Sequence, residues 1–211
     1  MLLYGIDDFN KSTLWNSVDQ PKRKAMLRSF KRTAAAGFTL IELLIVVIIL
    51  AIISAIAIPQ FSAATADAQL AALDTSLANI RGSLEQYRVQ HTGNVFPGAN
   101  TSTPTAGCAA GIKGSGEAGT EQALKDQLMY PSNAAGQTCS ISDATFRYGP
   151  YLRQGIPAEP INNVATVLIT TTGTIATPGA ESKGWAYDTK TGQFIMNSAA
   201  KDATEKAYSA H

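Results

Sequence analysis

The chain has 211 residues, enough for one or two domains. Only 16 % are charged, against about a quarter in an average soluble domain, while 45 % are hydrophobic. That apolar content excludes disorder throughout, and a formal net charge of +1 with no basic face disfavours a nucleic-acid binder.

The balance is the sum of unequal parts. Residues 1–37 carry seven Lys/Arg and three acids; the remainder carries ten and thirteen. A basic head of +4 therefore precedes a body of −3. Between them residues 38–58 read FTLIELLIVVIILAIISAIAI, with fifteen Leu, Ile, Val or Phe, one acid (Glu42), and no Lys, Arg, Asn, Gln, Gly or Pro. As a helix this run rises about 30 Å, the thickness of a bilayer core. Its apolar residues favour insertion by roughly 6 kcal/mol, and one acid offsets at most about half of that. The basic cluster in front predicts that residues 1–37 stay cytoplasmic while the body crosses. A cleaved secretory signal would have an apolar region of only about 7–15 residues, although Ala55-Ile56-Ala57 offers a small-residue cleavage site. Such a signal also has no use for an acid, and an ordinary single-pass anchor is the plain alternative.

The stretch Gly37-Phe38-Thr39-Leu40-Ile41-Glu42, running into the apolar helix with Pro59 at its end, resembles the N-terminus of the type IV pilin and type II secretion pseudopilin family. The resemblance implies that prepilin peptidase cuts between Gly37 and Phe38 and N-methylates Phe38. Glu42 then matches the fifth residue of the mature chain, and Pro59 the proline at the helix kink. Cleavage would leave an α-amine four residues before Glu42. In low dielectric an amine and a carboxylate of neighbouring subunits attract strongly, and either one alone is costly, so Glu42 is the candidate assembly residue. The leader is longer than the family's usual one, and Met26 would start a shorter form, MLRSFKRTAAAG.

After Pro59 the apolar slab becomes a stripe. Leu70, Leu73, Leu77, Ile80, Leu84 and Tyr87 recur every three or four residues, with Asp67, Asp74, Arg81, Glu85 and Arg88 off the stripe. This predicts a helix packing one face on a sheet; the stripe is too short for a sustained coiled coil. Arg81 and Glu85 are spaced to pair across a turn. Thr92-Gly93-Asn94 predicts the stop near His91.

Residues 93–119 read as a long loop rich in Gly, Ala, Thr and Ser. Gly114 to Gly119 match G-x-G-x-x-G, but no strand precedes them, which argues against a dinucleotide fold. Glu121 to Tyr130 reads as a short helix stopped by Pro131, and Val164 to Thr172 as a strand. Trp185 to Tyr187 and Gln193 to Met196 read as a hairpin around Asp188 to Gly192. The polar end from Asn197 is expected to fray. Gly149 to Leu152, Ile156-Pro157, Glu159 to Asn162 and Gly184 to Gly192 resemble stretches of pseudopilin-like proteins, without the Trp-Gly-Asn-Pro-like element or Asp-rich calcium loop of major pseudopilins. Calcium is thus implied only by family resemblance, with no visible site.

Cys108 and Cys139 are the only cysteines. Outside the cytoplasm they can form a disulfide; two buried free thiols are the alternative. No C-x-x-C, H-E-x-x-H or G-x-S-x-G motif supports catalysis, and the two histidines, His91 and His211, stand far apart in sequence.

The expected protein is α+β: a long N-terminal helix, half transmembrane and half amphipathic, packed on a small antiparallel sheet in a pilin-like fold. The expected parts are a cytoplasmic leader (1–37, removed), a long helix (38–91, transmembrane over 38–58) and a periplasmic or extracellular globular domain (92–211). The resemblance implies a structural subunit, not an enzyme, in a type IV pilus or type II secretion pseudopilus; no cofactor is expected, and calcium only as the family resemblance allows it. Its partners would be copies of itself, other pilin-like subunits, prepilin peptidase, an inner-membrane assembly platform and, before assembly, the bilayer. Its location would be the bacterial inner membrane, then a filament. A membrane-anchored binding module that never polymerises and an exported enzyme on a signal anchor are the alternatives.

Overall fold

The computed structural model describes residues 37–175, 178–179 and 182–211. The leader up to residue 36, and with it the choice between Met1 and Met26, lies outside the described residues. Contacts divide the chain into two units, Met1–Val47 and Ile48–His211.

In the first unit the described residues, 37–47, open helix α1, which runs Leu40–Gln90. Ile and Val are indifferent helix formers in water. In hydrocarbon no water can satisfy the backbone, so the same residues favour a helix, where every bond is internal. From Leu40 to Ile58 the large apolar side chains are exposed on every side of α1.

In the second unit α1 continues through Pro59, which has no N–H to offer the Ala55 carbonyl. Beyond it the alanine-rich turns are good helix formers, and the stripe is buried as its spacing predicts. Leu73, Leu77, Ile80, Leu84 and Tyr87 are at most 1 % exposed, while Leu70, at the start of the packed region, is half-buried. Leu73, Leu77, Ile80 and Leu84 share one core with Leu124 and Leu128 of α2 (Glu121–Met129) and with Val167, Trp185, Tyr187, Phe194 and Met196 of the sheet. Arg81 departs from expectation. Its guanidinium donates to the Phe194 carbonyl at 2.9 and 3.1 Å and to the His211 main-chain oxygen at 3.0 Å. Glu85 pairs with Arg88 at 2.7 Å instead. A carbonyl left open on a sheet edge out-competes a weak surface ion pair.

The sheet has three strands in the order β1 (Val167–Thr170), β2 (Trp185–Asp188), β3 (Phe194–Met196). β2 and β3 form the predicted antiparallel hairpin, Trp185 facing Met196 and Tyr187 facing Phe194. β1 pairs with β2 in parallel, Val167 beside Trp185, so the sheet is mixed where an antiparallel one was expected. The connection 171–184 has the length that a parallel crossover requires and a tight turn does not. β2, the central strand, is buried at all four positions. The Trp185 indole N–H donates to the Pro157 carbonyl, and the Tyr187 hydroxyl to the Pro97 carbonyl, both at 2.8 Å.

With so little regular structure, buried carboxylates supply acceptors that a sheet would otherwise provide. Glu159, fully buried, accepts the N–H groups of Ile161, Asn162 and Val164 at 2.7–3.2 Å. Asp126 of α2 accepts from Ser115 N, Gly116 N, the Ser102 hydroxyl and the Gln122 amide. Asp188 accepts five donors from Thr170, Gly173, Lys190 and Thr191. Burial opposes its charge, but these hydrogen bonds prevail and hold its carboxyl below the usual carboxylate range. The Gln127 side chain ties the two loops that flank α2 together, accepting from Gly98 N and donating to the Asn100 and Gly136 carbonyls.

A disulfide joins Cys108 to Cys139, with Cα atoms 5.7 Å apart. Together with Phe146 it forms a second small core. Closing this loop removes unfolded-state entropy worth roughly 4 kcal/mol in the chain-entropy account.

Candidate functional site

The N-terminal turn of α1 is built from adjacent residues. Gly37, Phe38 and Thr39 precede the helix and are exposed, Phe38 by 74 %. The Thr39 carbonyl accepts from Leu43 N at 3.3 Å, so Thr39 caps the helix. The Glu42 carboxylate reaches back to Thr39 and accepts both its N–H and its hydroxyl at 2.8 Å, while Glu42 N donates to the Thr39 hydroxyl oxygen at 3.3 Å. This reciprocal pattern is a capping box, legible as Thr-x-x-Glu before an apolar run. Sequence reasoning singled out Glu42 for its charge and passed over Thr39. Among the described residues, the carboxylate's partners are both on Thr39 and both neutral. It is a negative group at a helix N-terminus, flanked by bare apolar surface and with acceptor capacity left over for a cation.

Of the other residues marked in the sequence, Pro59 lies well along α1, and Cys108 and Cys139 meet each other in the body. Gly114 to Gly119 hold no nucleotide cradle. The N–H groups of Ser115 and Gly116 that would face a phosphate are taken by Asp126, and a Cβ on Gly116 would lie 2.1 Å from Ala123 N. Nor does Asp188 suit calcium, because both its oxygens already accept protein donors. Among the described residues no three His, Cys, Asp or Glu side chains gather as a metal site.

His91, just past α1, is buried. Its ring stacks on Tyr87 with centroids 3.6 Å apart. Nδ1 lies 2.7 Å from the Tyr87 carbonyl, which can only accept, so this nitrogen carries the proton. Nε2 is 2.9 Å from the Ser132 hydroxyl. Burial pushes the imidazole below the ordinary histidine range, against the raising effect of the Tyr87 and Asn133 backbone hydrogen bonds. The unfolded chain then takes up a proton at about pH 6.5 that the fold refuses, so stability is complete above that pH and declines below it. Between pH 7.5 and 5.5 the free energy of unfolding should fall, with a limiting slope of about 1.4 kcal/mol per pH unit, and His91→Asn should flatten that slope. Measured in the His211→Gln background, the slope reports His91 as the one histidine left.

The chain matches the family model for the prokaryotic N-terminal methylation motif over residues 32–58. It is 38 % identical over 108 residues to the type IV narrow pilus major component PilA5 of Thermus thermophilus, covering 51 % of this chain and 87 % of that protein. It is 35 % identical over 82 residues to the type IV major pilin protein PilE1 of Neisseria gonorrhoeae, covering 39 % of this chain and 48 % of that protein. A fimbrial protein of Neisseria meningitidis is 37 % identical over 82 residues, covering 39 % and 46 %. The chain thus spans about half the length of these Neisseria relatives. No solved structure matches it significantly. A long helix opening with the methylation motif, followed by a small sheet, defines a pilin-like protein. The chain belongs to the type IV pilin family.

Proposed function

We propose that the protein is a structural subunit of a type IV pilus, made as a prepilin, cleaved between Gly37 and Phe38, N-methylated on Phe38 and assembled into a helical filament with copies of itself and other pilin-like subunits. One observation carries this reading: an apolar helix exposed on every side, with a single carboxylate in its first turn, directly after a Gly-Phe junction. Before assembly α1 anchors the chain in the bacterial inner membrane, its body on the periplasmic side. In the filament the same surface packs against other α1 helices. Because lipid is as apolar as leucine, burial alone does not favour one state over the other. The bias comes from side-chain packing and from Glu42, which exchanges the neutral donors of Thr39 for the α-amine of a neighbour. Pro59 gives the helix a point of weakened bonding where it leaves the membrane. Prepilin peptidase and an inner-membrane assembly platform are the further partners. The names of the relatives support a pilus over a type II secretion pseudopilus.

Intact-mass and N-terminal peptide measurements on the membrane-extracted protein test this. The mature chain should begin at Phe38 and carry one added methyl group. An intact leader would instead indicate an anchored module that does not polymerise. Cleavage near Ala57 would indicate a secretory signal and remove the apolar part of α1, leaving only its amphipathic half.

A further inference from the structure

We propose that the ring of His211 is a proton-operated latch that holds the segment 197–211 against α1 and beside the edge strand β3. The ring is sandwiched between two carboxylates. Nδ1 lies 3.0 Å from Asp74 Oδ1 on α1, and Nε2 lies 3.3 Å from Asp202 Oδ2 in the loop before it. The His211 side chain is 10 % exposed and that of Asp202 3 %. An ionised carboxylate only accepts, and a neutral imidazole has one N–H to give. Both contacts are therefore hydrogen bonds only when both ring nitrogens carry protons.

Two carboxylate oxygens face the two ring nitrogens. Asp202 is held below the usual carboxylate range, chiefly by the Thr204 hydroxyl, against some burial, with help from the Lys206 and Thr204 amides and from His211 itself. The other charged group facing the residue is Arg81, whose guanidinium holds the His211 main-chain oxygen and leaves the ring to the acids. The Tyr208 ring lies 6.5 Å away, centroid to centroid, and takes no part in the pairing.

The latch has something to guard. β3 ends the strand order, and a sheet edge is a template for pairing with another chain. Arg81 already occupies the Phe194 carbonyl, and the turn Tyr208–Ala210 packs beside β3. A doubly protonated ring keeps that cover in place. As the pH rises and one ring proton leaves, one carboxylate loses its donor and the cover loosens.

The chain contains only two histidines, so ring-nitrogen NMR on the full-length protein in detergent micelles reports each one, with His211→Gln assigning the signals. In the docked state His211 should show two protonated ring nitrogens. Between about pH 5 and pH 8, protection of the Tyr208 and Ala210 amides, corrected for intrinsic exchange, should fall on the order of tenfold as the second proton leaves. His211→Gln should abolish that dependence, and Asp74→Asn, altering an exposed side chain, should weaken it. A singly protonated His211 ring with the segment fully protected would overturn the proposal. So would protection that ignores the ring's protonation.

Discussion

Glu42→Ala is expected to insert and be processed like the natural chain, yet to lower the yield of sheared surface filaments on the order of a hundredfold. The substitution removes the one carboxylate from the apolar run, so membrane insertion is if anything easier. What it removes from assembly is a charge whose partner, the α-amine of the next subunit, would then be buried alone in low dielectric. The capping box offers a second, purely local explanation for the residue, and Glu42→Gln separates the two. The amide keeps an oxygen for the Thr39 N–H and hydroxyl but carries no charge. If the carboxylate serves assembly, Gln should behave as Ala does. If it only caps the helix, Gln should give filaments at the natural level. Immunoblots of sheared filaments, set against total membrane-inserted protein, measure both.

In the body the largest loss is expected from Glu159→Ala, about 3 kcal/mol or more. The side chain is fully buried, and three main-chain N–H groups within the loop 159–164 point at its oxygens. Truncation leaves those donors without an acceptor in a site too tight to hydrate freely. Glu159→Gln should cost less, about 2 kcal/mol, because one oxygen remains while the new NH2 faces donors. The same loop is pressed against Gly184, where a Cβ would sit 2.0 Å from the Val164 carbonyl oxygen. Gly184→Ala therefore has to move backbone and should be destabilising on a similar scale. Thermal unfolding of the detergent-solubilised chain, followed by tryptophan fluorescence, reads all three, since Trp185 lies at the start of β2 beside this loop. Equal midpoints for Glu159→Ala and the natural chain would mean the loop is held by other contacts.

Periodic features of this chain were legible before any coordinates. An uninterrupted apolar run has one low-energy backbone state in a bilayer, and the stripe Leu73, Leu77, Ile80, Leu84, Tyr87 can face a core only as a helix. The hairpin was equally readable, because Asp188 to Gly192 brings its own turn chemistry. What escaped were pairings between distant residues. Whether β1 joins β2 in parallel depends on the path of residues 171–184, and strand composition does not encode that direction. Arg81 looked like a surface charge with a helical neighbour until the β3 edge came within its reach. Thr39 could have been found, since Thr-x-x-Glu before an apolar run signals a capped helix.

The sequence by itself determined the membrane-length helix, its basic approach, the Gly-Phe junction and the acid four residues on, because each is a local matter of composition, spacing and solvent. Only the tertiary structure decided which acids are structural. Glu159, Asp126, Asp188 and Asp202 are scattered charges in the sequence, and a carboxylate becomes a loop clamp only when folding aims several N–H groups at it. The same holds for His211, a lone polar residue in the sequence that the fold places between two carboxylates contributed by positions 74 and 202.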